Sequence, residues 1–225
     1  IPRVCACCTI SAMIRRDFLS TLAGTAACSA APAARRPNII LIMADDMGFS
    51  DIGCFGSEIA TPNLDRLAHE GVRFTHFYNT ARCCPTRSSL MTGLYPHQAG
   101  VGHMVANRGY PPYQGYLNDR CVTIAEALRP AGYRTIMSGK WHVGEDRPHW
   151  PTDRGFHRYF GLISGASNYW RLEPGRKMAL EDQPFTPVPG KFYMTDAFTD
   201  YAVDRIGEYG GKPDPYFLYL AYTAP

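Results

Sequence analysis

Residues 38–44 read NIILIMA, and this apolar run decides the fold. Its apolar residues follow one another without alternation, which is typical of a strand buried on both faces of an α/β sheet. Asp45 and Asp46 come directly after the run. In open α/β sheets, ligands bind at the edge where the strands end. We therefore predict an α/β fold with a binding site beside these two aspartates.

The Asp45-Asp46 pair has two physical explanations. Adjacent carboxylates at a strand end repel each other unless a cationic group lies between them, and a hard divalent ion with oxygen ligands meets that requirement. Alternatively, the two aspartates cap a helix or form a turn, as aspartates commonly do. Sequence alone leaves both explanations open.

The elements that follow alternate between helix and strand. Capping signals, apolar runs and periodicity predict helices at 61–71, 123–128 and 195–206, and strands at 72–78, 133–138 and 216–222. In the first helix, we predict that Leu64, Leu67 and Ala68 face inward. Residues 173–190 contain four prolines and are predicted to be an irregular surface segment.

A second group of candidate functional residues lies at residues 81–93, which read ARCCPTRSSLMTG. Cys83, Pro85 and Arg87 have C-x-P-x-R spacing, just ahead of a short helical run that Gly93 closes. Cys83 is therefore predicted near a helix N-terminus, where free N–H groups and the helix dipole favour a bound oxyanion. Arg87, one turn later, adds the donors of its guanidinium. The pattern indicates a site for a tetrahedral anion.

The cysteines of this motif also have a purely structural explanation. Cys83 and Cys84 are suited to pack as small buried hydrophobes or to form half of a disulfide. Cys54 and Cys121 also lie beyond the N-terminal segment, so disulfide pairing in an exported protein is open.

Lys140 and His142 follow the strand predicted at 133–138. At i and i+2 in an extended turn, their side chains point to the same side. A lysine there can hold an anionic oxygen and a histidine can move protons near neutral pH, whereas the alternative is a scaffold role for both. His97 and His103 lie in loop-like sequence, where they either line the pocket or pack.

Residues 83–100, CCPTRSSLMTGLYPHQAG, resemble the signature of the type I sulfatases, and the likeness is to the arylsulfatases. In that family the cysteine of C-x-P-x-R is oxidised after translation to Cα-formylglycine. Residues 139–144, GKWHVG, resemble the same family, and the resemblance extends over about 37–225. It implies that Cys83 rather than Cys84 is modified, since only Cys83 has the proline and arginine at the required spacing.

The resemblance implies an alkaline-phosphatase-like fold, in which a mixed, mostly parallel sheet is sandwiched by helices. It also implies a divalent metal, Ca²⁺ rather than Mg²⁺, with Asp45, Asp46 and Cys83 as ligands. We expect residues 37–225 to be the N-terminal part of a sulfatase catalytic domain. The remaining metal ligands and a second active-site histidine are expected beyond Pro225.

The implied reaction is hydrolysis of a sulfate ester, either an aryl sulfate or a sulfated carbohydrate. One hydroxyl of the hydrated formylglycine at Cys83 attacks sulfur and the alcohol or phenol leaves. His142 then deprotonates the other hydroxyl, so that sulfate is expelled and the aldehyde is restored. Arg87 steadies the formylglycine, while Lys140 binds a sulfate oxygen. A formylglycine-generating enzyme is the implied maturation partner.

Two rival functions stay open. Phosphate and sulfate share a tetrahedral shape, so a phosphodiesterase or phosphonate hydrolase of the same superfamily is one alternative. The other is an inactive fragment with only anion-binding capacity.

The net charge restricts the possible binding partners, and the N-terminal residues indicate the cellular location. The formal net charge is only +3 and no long run of lysine or arginine occurs, so nucleic-acid binding has little support.

Residues 13–27 contain Arg15-Arg16, a mildly apolar stretch and small residues, which predicts a twin-arginine export signal. Residues 1–36 are then upstream residues, signal and leader, and the protein is periplasmic or extracellular. The apolar part is too short for a stable membrane span, and lipoprotein anchoring through Cys28 is an alternative.

Overall fold

The structure is a computed structural model that describes residues 36–225. The predicted export signal and Cys28 lie outside the described residues. Within 36–225, no helix combines the length and the apolar character needed to cross a membrane.

The described residues form a mixed sheet with helices on both faces. The strands are β1 (Ile39–Met43), β2 (Arg134–Gly139), β3 (Arg158–Leu162), β4 (Met178–Leu180), β5 (Gln183–Pro184) and β6 (Tyr216–Ala221). The α-helices are α1 (Pro62–Glu70), α2 (Cys83–Thr92), α3 (Ile124–Leu128) and α4 (Met194–Tyr209). The strand order is β1-β6-β2-β3-β4-β5, with parallel pairing from β1 to β3 and antiparallel pairing beyond β3. The predicted mixed, mostly parallel sheet is confirmed.

Strand β6 lies at the centre of the hydrophobic core. Its Phe217 and Tyr219 pack with α2 and α3 on one face of the sheet, and its Leu218 packs with α4 on the other. All six residues of β6 are buried. Helix α4 buries Phe198 completely, and the Ser138 hydroxyl of β2 donates a 2.7 Å hydrogen bond to the Phe198 carbonyl. The helices therefore sandwich the sheet, as predicted.

Parallel pairing sets the ends of three strands side by side. Met43 of β1 pairs with Ala221 of β6, and Ala221 pairs with Gly139 of β2. Asp45 and Lys140 come just after these residues, so both lie at one edge of the sheet. A Cβ on Gly139 would lie 1.9 Å from the Ala221 carbonyl oxygen, and Gly139 has a φ of 110°, so this junction requires glycine.

The prediction that β1 is buried on both faces is wrong. Ile39 and Leu41 pack against the core, but Ile42 on the opposite face is 56% exposed. Strand β1 is at the end of the strand order, where β6 is its neighbour, and its outer face is not covered within 36–225. An uninterrupted apolar run therefore did not distinguish an edge strand from a central one.

Two predictions for residues 61–78 are also wrong in part. Helix α1 forms, but Leu64 and Leu67 are exposed rather than inward, Leu67 by 59%. Residues 72–78 form no strand. Partial alternation of apolar residues cannot make a strand without a neighbouring strand to hydrogen-bond, and the described residues provide none there.

The structure also adds elements that the sequence did not indicate. Strand β3 was missed, and β4 and β5 form a short antiparallel hairpin within the segment 173–190 that was predicted to be irregular. The helix predicted at 123–128 forms as α3, and a capping box closes its N-terminus, with hydrogen bonds of 3.0 and 2.7 Å between Thr123 and Glu126. The four cysteines within 36–225 are free thiols, so pairing among Cys54, Cys83, Cys84 and Cys121 is not formed.

Candidate active site

Helix α2 begins at Cys83, as the spacing of the motif predicts. Arg82 is the N-cap residue, and its side chain makes no capping hydrogen bond to the first turn. The helix ends at Gly93, which adopts a left-handed conformation with a φ of 69°. Cys83 thus sits where backbone N–H groups and the positive end of the helix dipole favour negative charge.

Arg87 ties this helix to the edge of the sheet. The residue is fully buried. Its Nη1 donates to the Lys140 carbonyl at 2.8 Å, and its Nη2 donates at 3.2 Å to both Asp45 Oδ1 and the Tyr222 carbonyl. Since these acceptors follow β2, β1 and β6 in turn, one guanidinium fixes the helix against the ends of three strands.

Asp45 carries the second charge of this network. Its Oδ2 accepts a hydrogen bond from Lys140 Nζ at 2.5 Å, and its Oδ1 is paired with Arg87. Burial raises the pKa of the Asp45 carboxyl, but the hydrogen bond from Lys140 and the charges of Arg87 and Lys140 outweigh it, so the pKa lies below its ordinary value. Asp45 is therefore ionised at neutral pH, and it orients two buried cations.

His142 lies beside the cysteines at the start of α2. One ring nitrogen of His142, Cys83 Sγ and Cys84 Sγ lie within 4.8 Å of one another. His142 is 4% exposed, its Nδ1 has no hydrogen-bond partner among residues 36–225, and its φ of 56° is unusual for a residue other than glycine. Such a conformation persists only where the surrounding structure enforces it, which is common at functional sites.

The two thiols differ in their environment. The neighbouring Cys84 thiol and the His142 ring lower the pKa of the Cys83 thiol well below its ordinary value, to about 3. The contact with Cys83, together with burial, raises the pKa of Cys84. Cys83 is half-buried whereas Cys84 is fully buried. Cys83 is thus the reactive and more accessible thiol of the pair.

Asp46 is the least constrained of the predicted site residues. It is exposed, and its φ of 59° turns the chain directly after Asp45. The chemistry of the two carboxylates fits a hard divalent cation, which prefers oxygen ligands. Asp45 already holds two cationic groups, so the carboxylate site attracts positive charge in this structure.

The loop histidines do not join the cluster. His97 is exposed, and its ring packs edge-on against Tyr113 with a centroid distance of 5.4 Å. His103 lies 3.3 Å from Arg108, measured between its Nδ1 and an arginine Nη2. His97 therefore packs against an aromatic ring, and His103 lies within hydrogen-bonding distance of an arginine.

Sequence reasoning missed Gly165, which fixes the position of His142. A Cβ on Gly165 would lie 2.1 Å from Cε1 and 2.2 Å from Nε2 of the His142 ring. Gly165 follows β3, another strand of the parallel part of the sheet, so its contact with His142 depends on the packing of that loop. No local pattern around this glycine could have indicated it.

Comparisons with known proteins identify the family of the chain. A family model described as Sulfatase matches residues 37–225. An uncharacterized sulfatase of Schizosaccharomyces pombe is 41% identical over 85% of this chain and 38% of its own length. An arylsulfatase of Klebsiella aerogenes is 38% identical over 84% of this chain and 43% of its own length.

Solved structures give the same result. The structure of Ps i-CgsB in complex with k-i-k-neocarrahexaose superposes with a TM-score of 0.74 at 34% identity, covering 84% of this chain and 45% of that one. The chain thus spans less than half the length of these relatives. The match of the family model, the curated sulfatases and the shared fold together show that the chain belongs to the sulfatase family.

Proposed function

We propose that the full-length protein hydrolyses sulfate esters at the edge of the sheet where α2 begins. The observation that carries this proposal is the meeting of three distant segments. Asp45 follows β1, Lys140 and His142 follow β2, and Cys83 opens α2. Arg87 and Asp45 join these segments by direct hydrogen bonds. Membership of the sulfatase family supports the same activity.

Two groups beyond the twenty amino acids belong to the proposal. Sulfatases generally use a formylglycine and a divalent metal. A formylglycine at position 83, once hydrated, supplies a hydroxyl nucleophile, and we assign its formation to a formylglycine-generating enzyme. Asp45 and Asp46, with residue 83, would hold the metal, which we propose to be Ca²⁺ and which supplies positive charge near the sulfate oxygens.

The remaining side chains have roles that follow from their contacts. His142 is buried within 4.8 Å of Cys83 Sγ, so it is placed to take a proton from a hydroxyl of residue 83. Lys140 carries a buried ammonium beside Asp45, which suits a sulfate oxygen. Arg87 is a positioning residue, because its donors reach the chain at Asp45 and Lys140.

The identity of the substrate is proposed at the level of class. The relative from Klebsiella aerogenes is named an arylsulfatase, while Ps i-CgsB was solved in complex with k-i-k-neocarrahexaose. Another neighbour, with 30% identity and a TM-score of 0.67, was solved with its substrate D-glucosamine-2-N,6-O-disulfate. We propose an aryl sulfate or a sulfated carbohydrate for this protein, and export through its N-terminal segment.

Relative turnover of matched esters tests the proposed activity. We expect the full-length, converted protein to hydrolyse para-nitrophenyl sulfate at least about 100-fold faster than the corresponding phosphate esters, a difference of about 2.7 kcal/mol in the barrier. Removal of divalent metal with a chelator should abolish the activity, and added Ca²⁺ should restore it. Faster turnover of a phosphate diester would favour the phosphodiesterase alternative, and turnover of neither ester would favour the anion-binding one.

Gly165→Ala tests the role assigned to His142. The added Cβ would meet the His142 ring at 2.1 Å, so the ring must move by about 1 Å or more to reach ordinary contact distance. We expect kcat for an aryl sulfate to fall by about 10- to 100-fold, because small misplacements of catalytic groups have effects of this size.

A matched glycine provides the control for that substitution. Gly207 is exposed in α4, and no heavy atom lies within 4 Å of a Cβ built on it. Gly207→Ala should therefore leave kcat unchanged. Wild-type kcat in Gly165→Ala would show that the position of the His142 ring does not matter for the reaction.

A further inference from the structure

A group of soft donor atoms lies at the start of α2. Cys83 Sγ, Cys84 Sγ and one ring nitrogen of His142 are mutually within 4.8 Å. The Met104 Sδ lies 4.0 Å from Cys83 Sγ and 3.8 Å from Cys84 Sγ. Within residues 36–225, the two cysteines and His142 form the compact group of His, Cys, Asp or Glu donors that suits a metal ion. We call these three residues the thiol-imidazole cluster.

The spacing of the cluster is close to that of a tetrahedral zinc site. With Zn–S bonds of about 2.3 Å, two sulfurs on a tetrahedron lie about 3.8 Å apart. The donor atoms of the cluster are separated by no more than 4.8 Å, so they need to approach one another by at most about 1 Å.

Burial and hydrogen bonding also indicate a ligand. Cys84 is fully buried and His142 is more than nine-tenths buried. The Nδ1 of His142 is enclosed and has no hydrogen-bond partner in the part of the chain that the structure describes, although buried polar atoms are normally paired. Cys83, at the helix start, is partly exposed and gives an ion a route to the cluster.

The chemistry of the donors selects the class of ion. Thiolates and imidazole favour thiophilic ions such as Zn²⁺, whereas the carboxylates of Asp45 and Asp46 favour hard cations such as Ca²⁺. The neighbouring Lys140 ammonium is already ion-paired with Asp45. Two thiolates then balance the charge of one divalent ion.

We propose that the unconverted protein binds one Zn²⁺ ion through Cys83, Cys84 and His142. Binding replaces the two S–H bonds with S–Zn bonds, releases both protons to solvent and changes no oxidation state. The fourth position is left for water beside Met104. The inference rests on the proposed function in one respect: conversion of Cys83 to formylglycine removes a sulfur ligand, so zinc binding and maturation compete for the same atom.

The test uses reduced full-length protein produced without a formylglycine-generating enzyme and kept free of oxygen. Titration with Zn²⁺ against a chromophoric chelator should show one ion bound per chain, and Cd²⁺ should give sulfur-to-cadmium charge-transfer absorption from two thiolates. Cys84→Ala should weaken Zn²⁺ binding by more than about 10- to 100-fold, the cost already seen when only a hydrogen-bond partner of a metal ligand is lost, and halve the Cd²⁺ absorption. Cys54→Ala, which removes a thiol outside the cluster, should change neither quantity.

A second variant keeps the test decisive if Cys84→Ala fails to fold. Cys83→Ser changes the partly exposed ligand and should likewise halve the Cd²⁺ absorption. No saturable Zn²⁺ binding by wild-type protein, or binding unchanged in both cluster variants, would overturn the zinc site.

The zinc titration and the sulfatase assays test separate claims, so a negative result in one does not decide the other. The titration uses the thiol form of the protein, so its failure leaves the proposed sulfate-ester hydrolysis standing. Conversely, a protein that binds zinc but never hydrolyses a sulfate ester after conversion would retain the zinc site and lose the proposed function. Protein loaded with zinc before exposure to the formylglycine-generating enzyme should be converted more slowly than zinc-free protein, and equal rates would contradict the competition.

Discussion

Cys83→Ala is expected to lower kcat/KM of the full-length protein for an aryl sulfate by at least about 10⁴-fold. The substitution removes the only side chain at the start of α2 that has Pro85 and Arg87 at the spacing required for conversion. Without the derived nucleophile, the charges of Asp45 and Lys140 have no covalent intermediate to stabilise. Initial rates with a chromogenic aryl sulfate, measured beside wild-type protein, give the comparison.

The neighbouring cysteine supplies a matched control for this prediction. Cys84→Ala removes the same thiol one residue later, where the residue packs in the core with Met91 and Ala125. We expect less than about a 10-fold loss of kcat/KM in Cys84→Ala, together with a modest loss of stability from the small cavity. Loss of activity in Cys84→Ala with retention in Cys83→Ala would show that the nucleophile derives from Cys84 and not from Cys83.

Arg87→Met is expected to reduce the free energy of unfolding by about 3 to 5 kcal/mol, the usual effect of removing one partner of a buried ion pair. Arg87 is fully buried, and its loss leaves the Lys140 and Tyr222 carbonyls without that donor. Of the two side-chain cations that the structure places on Asp45 within residues 36–225, Lys140 would remain. Denaturant unfolding followed by circular dichroism measures the change.

Two further variants separate the geometry of Arg87 from its charge. Arg87→Lys keeps a positive charge but cannot present donors in the planar fork of a guanidinium, so it should recover only part of the stability and activity. Arg66→Met, on the exposed surface of α1, should change the free energy of unfolding by no more than about 0.5 kcal/mol. Equal stability of Arg87→Met and Arg66→Met would refute the role of Arg87 as the link among the strand ends.

Much of the candidate site was predictable because parallel strands end at the same edge of a sheet. Asp45 and Lys140 are 95 residues apart in sequence, yet they form an ion pair since each follows a strand that pairs with β6. The C-x-P-x-R spacing predicted the helix start at Cys83 and placed Arg87 one turn further on. The functional roles of these residues stay predictions until the variants are measured.

Other features depend on tertiary contacts that no local pattern carries. The exposure of Ile42 and Leu67 is set by which elements cover β1 and α1, while hydropathy records only that these residues are apolar. Strand β3 was missed because its aromatic, glycine-containing sequence has no clear period. Gly165 contacts His142 across two loops, so its importance appears only in three dimensions.

The measurement that tests the central claim most directly is the mass of the peptide that contains Cys83. The full-length protein would be co-expressed with a formylglycine-generating enzyme that is shown, in the same cells, to convert a known sulfatase. We predict a peptide mass with an aldehyde in place of the Cys83 thiol, while Cys84 remains a cysteine. Recovery of Cys83 as an unmodified thiol under those conditions would contradict the account.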